Sequence, residues 1–317
     1  MILDAETLAP TAGINVLLRG ADGLDLPGTM KTELHASVVE LNTWICADVV
    51  EAVSALGVLR EAAAAIAREH GLVLAAAGAH PTAALESLPV VPEPRYRKML
   101  DGVGYAARRQ GVNGLHVHVG VESPERCHER LEAVLPWLPV VLAISANSPF
   151  LDGVPTGMLS NRAAILAELP RGGVPPAFSS YDEWEAWVER LVRIGVMEDY
   201  TRIWWDVRPH PRFGTLEIRV ADQPTALERT ALIVRILQEL VADARARIRP
   251  RADYVHNRWA AASFGLDARL IHPDGESAVL ARDLARDLLG VEPPAPEALA
   301  QLAADDPTAD VAARTVG

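Results

Sequence analysis

One segment, Thr215-Leu216-Glu217-Ile218-Arg219-Val220, alternates apolar and polar residues so strictly that it fixes the local fold. A β-strand turns successive side chains to opposite faces, so the three apolar residues share one face and Glu217 and Arg219 share the other. The apolar face is predicted to pack on the core. The polar face then carries an acid beside a base, as a functional site or as an ion pair on a solvated sheet.

Other periodic segments predict a mixture of strands and helices. Helical spacing of apolar residues predicts helices over residues 47–70, 96–111, 124–145, 181–194 and 225–249, the third with a middle interrupted by proline. Strands are predicted at 72–75 and 115–119, and small strands and turns over residues 1–42. Because no repeat or long linker divides the chain, we predict one α+β domain over residues 1–317, with 291–317 as a peripheral tail.

Composition excludes several classes of protein. The 317 residues carry 42 acidic and 30 basic side chains, a formal net charge of −12, which argues against a general nucleic-acid binder. No apolar run approaches the ~20 residues of a membrane span, and no signal peptide opens the chain. Cys46 and Cys127 are too few for a disulfide scaffold. We therefore predict a cytoplasmic protein with neither a membrane nor a nucleic acid as its partner.

Two pairs of side chains could carry chemistry. His116 and His118 project from the same face of one predicted strand, a spacing that suits metal or phosphate contacts and equally suits structural histidines. Glu33 and Glu40 lie seven residues apart, on opposite faces of a regular strand. They could act together only across a bend, a bulge or a helical register, and surface carboxylates are the alternative.

Two polar segments follow apolar ones and are predicted to be loops. The first contains Asn147, in Asn-Ser-Pro, and the second contains Arg162, in Ser-Asn-Arg. Polar loop residues can face a ligand, although turn chemistry explains the same residue types. Arg162 is the strongest candidate, because a guanidinium can hold a carboxylate or phosphate through two parallel hydrogen bonds.

A set of motifs occurs in a fixed order along the chain. They are Lys31–Leu34, Val39–Leu41, Gly114–Gly120, Ser145–Phe150, Ser160–Arg162 and Trp204–Arg219, with Asn257–Trp259 as a weaker one. Together they resemble the bacterial carboxylate-amine ligases of the YbdK type, a branch of the glutamate-cysteine ligase superfamily. The resemblance implies a glutamine-synthetase-like α+β fold, in which a mainly antiparallel sheet forms a cleft and helices pack on its outside.

The same resemblance implies an activity and a site. ATP would phosphorylate a glutamate-like carboxylate, and an amine would attack the acyl phosphate, with Mg²⁺ as the expected metal cofactor. The implied metal ligands are Glu33, Glu40, His116 and Glu217. Arg162 and Arg219 match positions that contact the substrate or the transferring phosphoryl group, and the predicted substrate-binding set is Asn147, Arg162, Arg219 and His118.

One departure from the family pattern keeps alternatives open. Relatives carry a strand of the form Gly-Val-Glu-Glu-Glu-Phe before the segment that corresponds to Met1–Asp4, and its glutamates supply further metal ligands. The sequence starts after that strand, so we expect a metal site short of carboxylates. A non-catalytic nucleotide- or amino-acid-binding descendant and a metal-dependent hydrolase remain the alternatives to the ligase. The oligomeric state is open, a homo-oligomer included.

Overall fold

The computed structural model describes residues 1–242 and 250–297. The first part contains β1 (Ile2–Asp4), α1 (Ile14–Ala21), β2 (Gly28–Thr32), β3 (Val39–Thr43), α2 (Val49–Arg68) and β4 (Leu72–Leu74). The middle contains α3 (Pro94–Val103), α4 (Tyr105–Arg108), β5 (Val117–Gly120), α5 (Pro124–Val134), α6 (Leu138–Ser145), β6 (Phe150–Leu151), β7 (Val154–Pro155), α7 (Asn161–Ala167), β8 (Gly172–Gly173) and α8 (Tyr181–Arg193). The last part contains β9 (Trp204–Trp205), β10 (Val207–His210), β11 (Thr215–Ile218), α9 (Leu227–Ala242), α10 (Arg251–Phe264), β12 (Arg269–Ile271), β13 (Ala278–Leu280) and α11 (Ala281–Leu289).

The sheet that matters most is antiparallel, with strand order β10-β11-β5. Its register pairs Ile218 of the central strand with Val207 on one side and Val117 on the other. These side chains belong to the larger hydrophobic core, where α5, α6 and α9 also contribute. All eight residues of α6 are buried, which explains why its sequence is apolar on every side. The apolar face predicted for residues 215–220 therefore packs on the core.

A smaller core lies beneath β1 and β4, which pair with each other. α1 and α2 pack there, and β2 and β3 form a separate antiparallel pair. α2 begins at Asp48, whose side chain accepts a hydrogen bond from the Glu51 backbone N–H over 2.9 Å. None of the helices in residues 1–242 and 250–297 combines the length and apolar character needed to cross a bilayer.

The predicted α+β class is confirmed, with helices around small, mainly antiparallel sheets. The helices predicted over 47–70, 181–194 and the described part of 225–249 are observed with ends shifted by a few residues. The helix predicted over 124–145 is two helices, interrupted before Leu138 by a 3-10 turn. Residues 243–249 and 298–317 of the predicted helix and tail lie outside the described residues. Within 291–297, Glu297 is buried and its carboxylate lies 3.4 Å from Arg229 Nε.

Two local predictions were wrong. Residues 14–21 form α1 instead of strands and turns, and Gly20 lets this helix pack closely on α2, since a Cβ there would lie 2.4 Å from Ile66. The helix predicted over 96–111 starts at Pro94 and is divided at Gly104. Gly104 adopts φ +72°, which no residue within an α-helix adopts.

Candidate active site

A row of polar side chains crosses the three-stranded sheet on the face opposite the core. The register places Arg208 of β10 and His118 of β5 on either side of Glu217 in β11. Arg208 Nε donates to Glu217 Oε2 over 2.7 Å, and His118 Nε2 lies 4.0 Å from Glu217 Oε1. Glu217 is only 3% exposed. It therefore belongs to a buried cross-strand ion pair and not to a solvated one.

Arg219 follows β11 directly and turns its guanidinium to the same polar face. Its Nη1 donates to Glu217 and lies 3.4 Å from His116 Nδ1. Burial by itself would raise the pKa of Glu217, but the guanidinium groups of Arg219 and Arg208 outweigh burial and lower that pKa well below its ordinary value. Glu217 is therefore an ionised carboxylate shared by two arginines.

His116 lies just before β5, beside the Arg219 side chain. Its side chain is exposed to solvent although protein atoms surround it closely. Those atoms desolvate the ring, and the positive charge of Arg219 adds to the effect, so the pKa of His116 is well below 6.5. The imidazole is neutral at pH 7, which is the form that binds cations.

Glu33 and Glu40 meet at the turn between β2 and β3. Glu40 lies opposite Lys31 in the strand pair, and Glu33 follows the last residue of β2. The two side chains are close enough to affect each other's charge. Desolvation first, and then the hydrogen bond and negative charge of Glu40, raise the pKa of Glu33 to about 7, although the nearby positive charge of Arg219 lowers it. A regular strand would place Glu33 and Glu40 on opposite faces, and this turn between β2 and β3 supplies the bend that brings them together.

Asp222 is the centre of a second cluster of residues from the sequence motifs. It is fully buried, and its carboxylate accepts hydrogen bonds from the Asn147 backbone N–H and from the Ser148 and Ser160 hydroxyls over 2.7–2.9 Å. The Asn147 side-chain amide donates to the Gln223 carbonyl over 3.1 Å. The two segments predicted to be ligand-facing loops are thus joined through one buried carboxylate. The substrate contact of Asn147 stays a prediction.

Arg162 lies in the first turn of α7, which begins at Asn161, so the loop predicted for Ser160–Arg162 is wrong. It is 2% exposed; its Nη2 donates to the Arg219 carbonyl over 2.9 Å and its Nη1 to the Val220 carbonyl over 3.2 Å. Burial lowers the pKa of Arg162 to about 10, so the guanidinium remains charged at pH 7. The two-pronged contact expected of Arg162 is made here with backbone carbonyls. Its contact with substrate stays a prediction.

Gly114 leaves the space that Arg162 occupies. A Cβ at residue 114 would lie 2.0 Å from Arg162 Nη2, and the hydrogen bonds of Arg162 to two carbonyls keep that group from moving aside. We expect Gly114→Ala to lower the free energy of unfolding by about 2 kcal/mol, measured by urea denaturation. The control is Gly120→Ala, where no atom lies within 4 Å of the added Cβ. Equal losses in the two variants would contradict the steric explanation.

Sequence reasoning missed two residues of the polar face, Arg208 and His210. The His210 ring stacks on Phe213 with centroids 4.3 Å apart, and it lies 5.0 Å from the His118 ring. Tyr200 approaches His210 edge-on at 5.3 Å. The missed signal is the alternation in Val-Arg-Pro-His over 207–210, which has the same period of two as β11.

The carboxylates provide a partial match to a magnesium site. No group of three or more His, Cys, Asp and Glu side chains is arranged around one point in the part of the chain that the structure describes. Mg²⁺, however, usually keeps several waters and is bound by one or two carboxylates together with substrate phosphates. The contact between Glu33 and Glu40 fits this requirement, because a cation would relieve the repulsion between the two groups.

Comparisons with known proteins show which family this chain is similar to. The "Glutamate-cysteine ligase family 2 (GCS2)" profile matches residues 2–307. "Putative glutamate--cysteine ligase 2-3" of Rubrobacter xylanophilus is 41% identical over 292 residues, covering 91% of this chain and 80% of that protein. "Glutamate--cysteine ligase" of Haloferax volcanii is 37% identical over 287 residues, 88% of this chain and 80% of its own. A glutamate-cysteine ligase structure from Francisella tularensis, solved in complex with AMP, matches with a TM-score of 0.61 at 15% identity, covering 91% of this chain and 74% of that one.

The fold is that of a glutamate-cysteine ligase, a carbon-nitrogen ligase that joins a carboxylate to an amine. The chain belongs to glutamate-cysteine ligase family 2, since the family profile covers nearly its whole length. The resemblance inferred from the sequence motifs is therefore confirmed. The enzyme class that it implied, an ATP-dependent ligase, is confirmed with it.

Proposed function

We propose that the protein joins a glutamate-like carboxylate to an amine through an acyl phosphate. A carboxylate oxygen attacks the γ-phosphorus of ATP and ADP leaves; the amine then attacks the acyl carbon, phosphate leaves, and the nitrogen loses a proton. The observation that carries the proposal is the contact of Arg219 with both Glu217 and His116, with the Glu33–Glu40 pair of β2 and β3 near enough for the charge of Arg219 to lower the pKa of Glu33. Phosphoryl transfer requires positioned charges of both signs and no covalent nucleophile, which is what this face offers.

We assign Glu33 and Glu40 as the protein carboxylates of a magnesium site. His116 and Glu217, the other two ligands that the family resemblance implies, stay predictions, because the described residues hold no group of three or more such side chains around one point. When bound, the cation would neutralise charge on the phosphate oxygens. The donor types support the assignment, since both are carboxylates that affect each other's charge.

The arginines take different parts in this proposal. Arg219 is the catalytic cation, because its Nη1 lies on the open polar face beside His116, and it stabilises charge on the transferring phosphoryl group. Arg162 supports this step by holding the Arg219 carbonyl. His118, whose Nδ1 lies 2.9 Å from the Thr215 hydroxyl, faces the same surface and is assigned with Asn147 to substrate binding.

An ADP-release assay over pairs of amino acids and amines, with Mg²⁺, tests the function. Mass spectrometry of the same reactions should find a condensation product in amounts equal to the ADP released. The control omits the amine and should give little ADP. Product formed from an ester or amide without ATP would indicate the hydrolase, and ATP binding without product for any pair would indicate the non-catalytic descendant.

Glu40→Gln should separate metal binding from stability. The substitution removes the charge that repels Glu33, so we expect the metal-free protein to become more stable by about 1 kcal/mol at pH 8 while its Mg²⁺ affinity falls. Because the folded-state pKa of Glu33 is raised from 4.5 to about 7, wild-type stability is lost as pH rises through that interval. The gain in the variant should therefore be absent near pH 4 and fully present above pH 7.

Urea denaturation without metal, at several pH values, measures the gain in stability. Glu33→Gln should behave in the same way, because either substitution ends the repulsion. Glu51→Gln, in the first turn of α2, is the control and should not show a gain that increases from pH 4 to pH 7. Destabilisation by Glu40→Gln at pH 8 would show that the carboxylates are structural and would remove them from the metal site.

A further inference from the structure

The backbone of Arg219 is held on both sides by buried polar groups. Its N–H donates to the Asp206 carbonyl over 2.7 Å, and its carbonyl accepts from Arg162 Nη2 over 2.9 Å. Arg219 lies just after β11 ends, so these two contacts take the place of strand hydrogen bonds at this residue. The position of its guanidinium on the polar face therefore depends on what fixes Asp206 and Arg162.

One side chain of α10 connects the two supports. Arg258 donates through Nε and Nη2 to the Asp206 carboxylate, with the Nη2 bond at 3.2 Å. The same Nη2 donates to the carbonyl of Ala163, the residue after Arg162, over 2.7 Å. The Tyr254 hydroxyl completes the cluster by donating to Asp206 over 2.8 Å. Asp206 is 1% exposed, so its charge is balanced by these groups and not by water.

We propose that Arg258 is a positioning residue for Arg219, an inference that rests on the proposed function. Its planar guanidinium binds the carboxylate of Asp206, whose carbonyl accepts the Arg219 N–H. It also donates to the carbonyl of Ala163, next to Arg162, and Arg162 donates to the Arg219 carbonyl. Arg258 acts through these two contacts and does not touch the reacting atoms. A lysine would keep the charge but present a single nitrogen, which cannot reproduce the fork.

The same helix supplies a matched control. Arg251, seven residues earlier in α10, forms a two-pronged ion pair with the buried carboxylate of Glu132 and donates to the carbonyls of Pro175 and Pro176. The side chains of Arg251 and Arg258 are 17% and 11% exposed. Lysine substitution at either position therefore breaks a similar buried ion pair, but only Arg258 is linked to the supports of Arg219.

The experiment compares Arg258→Lys with Arg251→Lys in the full chain. We expect similar losses of Tm, and a kcat for ATP-dependent ligation that falls about 100-fold in Arg258→Lys with little change in the KM for the carboxylate. Arg251→Lys should retain kcat within about 2-fold. Equal losses of kcat in the two variants would overturn the proposal, because they would reflect stability alone.

Crystal structures of the two variants give a readout that does not depend on turnover. The Arg219 guanidinium should move away from His116 in Arg258→Lys and stay in place in Arg251→Lys; an unmoved guanidinium in both would overturn the proposal. If the wild-type chain ligates no substrate pair, the proposed function fails while this comparison still decides the positioning role. Should Arg258→Lys not fold, Tyr254→Phe removes one hydrogen bond from Asp206 and should lower kcat about 3-fold with the same displacement.

Discussion

Replacing Arg219 by lysine is expected to lower kcat for ATP-dependent amide formation by about 1,000-fold. The guanidinium contacts Glu217 and His116 through Nη1 alone and keeps its other N–H donors for a transferring phosphoryl group, whereas a lysine has a single nitrogen for all three partners. The free energy of unfolding should change by less than about 1 kcal/mol, because Arg208 still pairs with Glu217. The measurement is the initial rate of ADP release at saturating ATP, with urea denaturation of the same preparations.

A lysine at an exposed arginine serves as the control for this prediction. Arg126 pairs with Glu129 on the surface of α5, with 58% of its side chain exposed, and Arg126→Lys should leave both kcat and stability unchanged. A variant at Arg219 that retains wild-type kcat would remove this residue from the catalytic step. The polar face would then have to neutralise the phosphoryl group through Arg208.

Glu217→Gln is expected to abolish turnover and also to lower the free energy of unfolding by about 3 kcal/mol. The amide cannot balance the two arginines that now share the carboxylate, and Glu217 is too buried for water to replace that charge. The pKa of Glu217 is depressed in the folded state, so its contribution to stability is present above the unfolded value near 4.5 and is lost only as the pH falls through the folded-state pKa. The stability difference between wild type and variant should therefore be constant from pH 6 to 8.

A double substitution tests whether unpaired charge causes this loss. Adding Arg208→Gln to Glu217→Gln removes one of the two uncompensated cations, so the double variant should recover about 1 kcal/mol relative to the sum of the single changes. Turnover should not recover, since the carboxylate is still missing. Additive stability losses would show that the ion pair across β10 and β11 contributes nothing as a pair.

Residue patterns by themselves determined several features of this protein. The alternation in residues 215–220 identified β11 and the two faces of the sheet, because a strand's period of two is a local property of the backbone. The order of motifs along the chain identified the family, and helical spacing located α2 and α8 to within a few residues. These features depend on neighbouring residues or on sequence resemblance, so no long-range contact is needed to find them.

Only the tertiary structure decided how the site is assembled. The turn between β2 and β3 brings Glu33 onto Glu40, and strand pairing puts Arg208 beside Glu217. Arg162, which the sequence placed in a ligand-facing loop, is buried and donates to backbone carbonyls. Arg258 is connected to Arg219 through Asp206, which binds the Arg258 side chain and accepts the Arg219 N–H. The contacts of Arg162 with Arg219 and of Arg258 with Asp206 join residues 57 and 52 positions apart, and these buried charges are paired because water is excluded around them. A sequence records which of its side chains carry charge, but their partners depend on which segments the folded chain buries together.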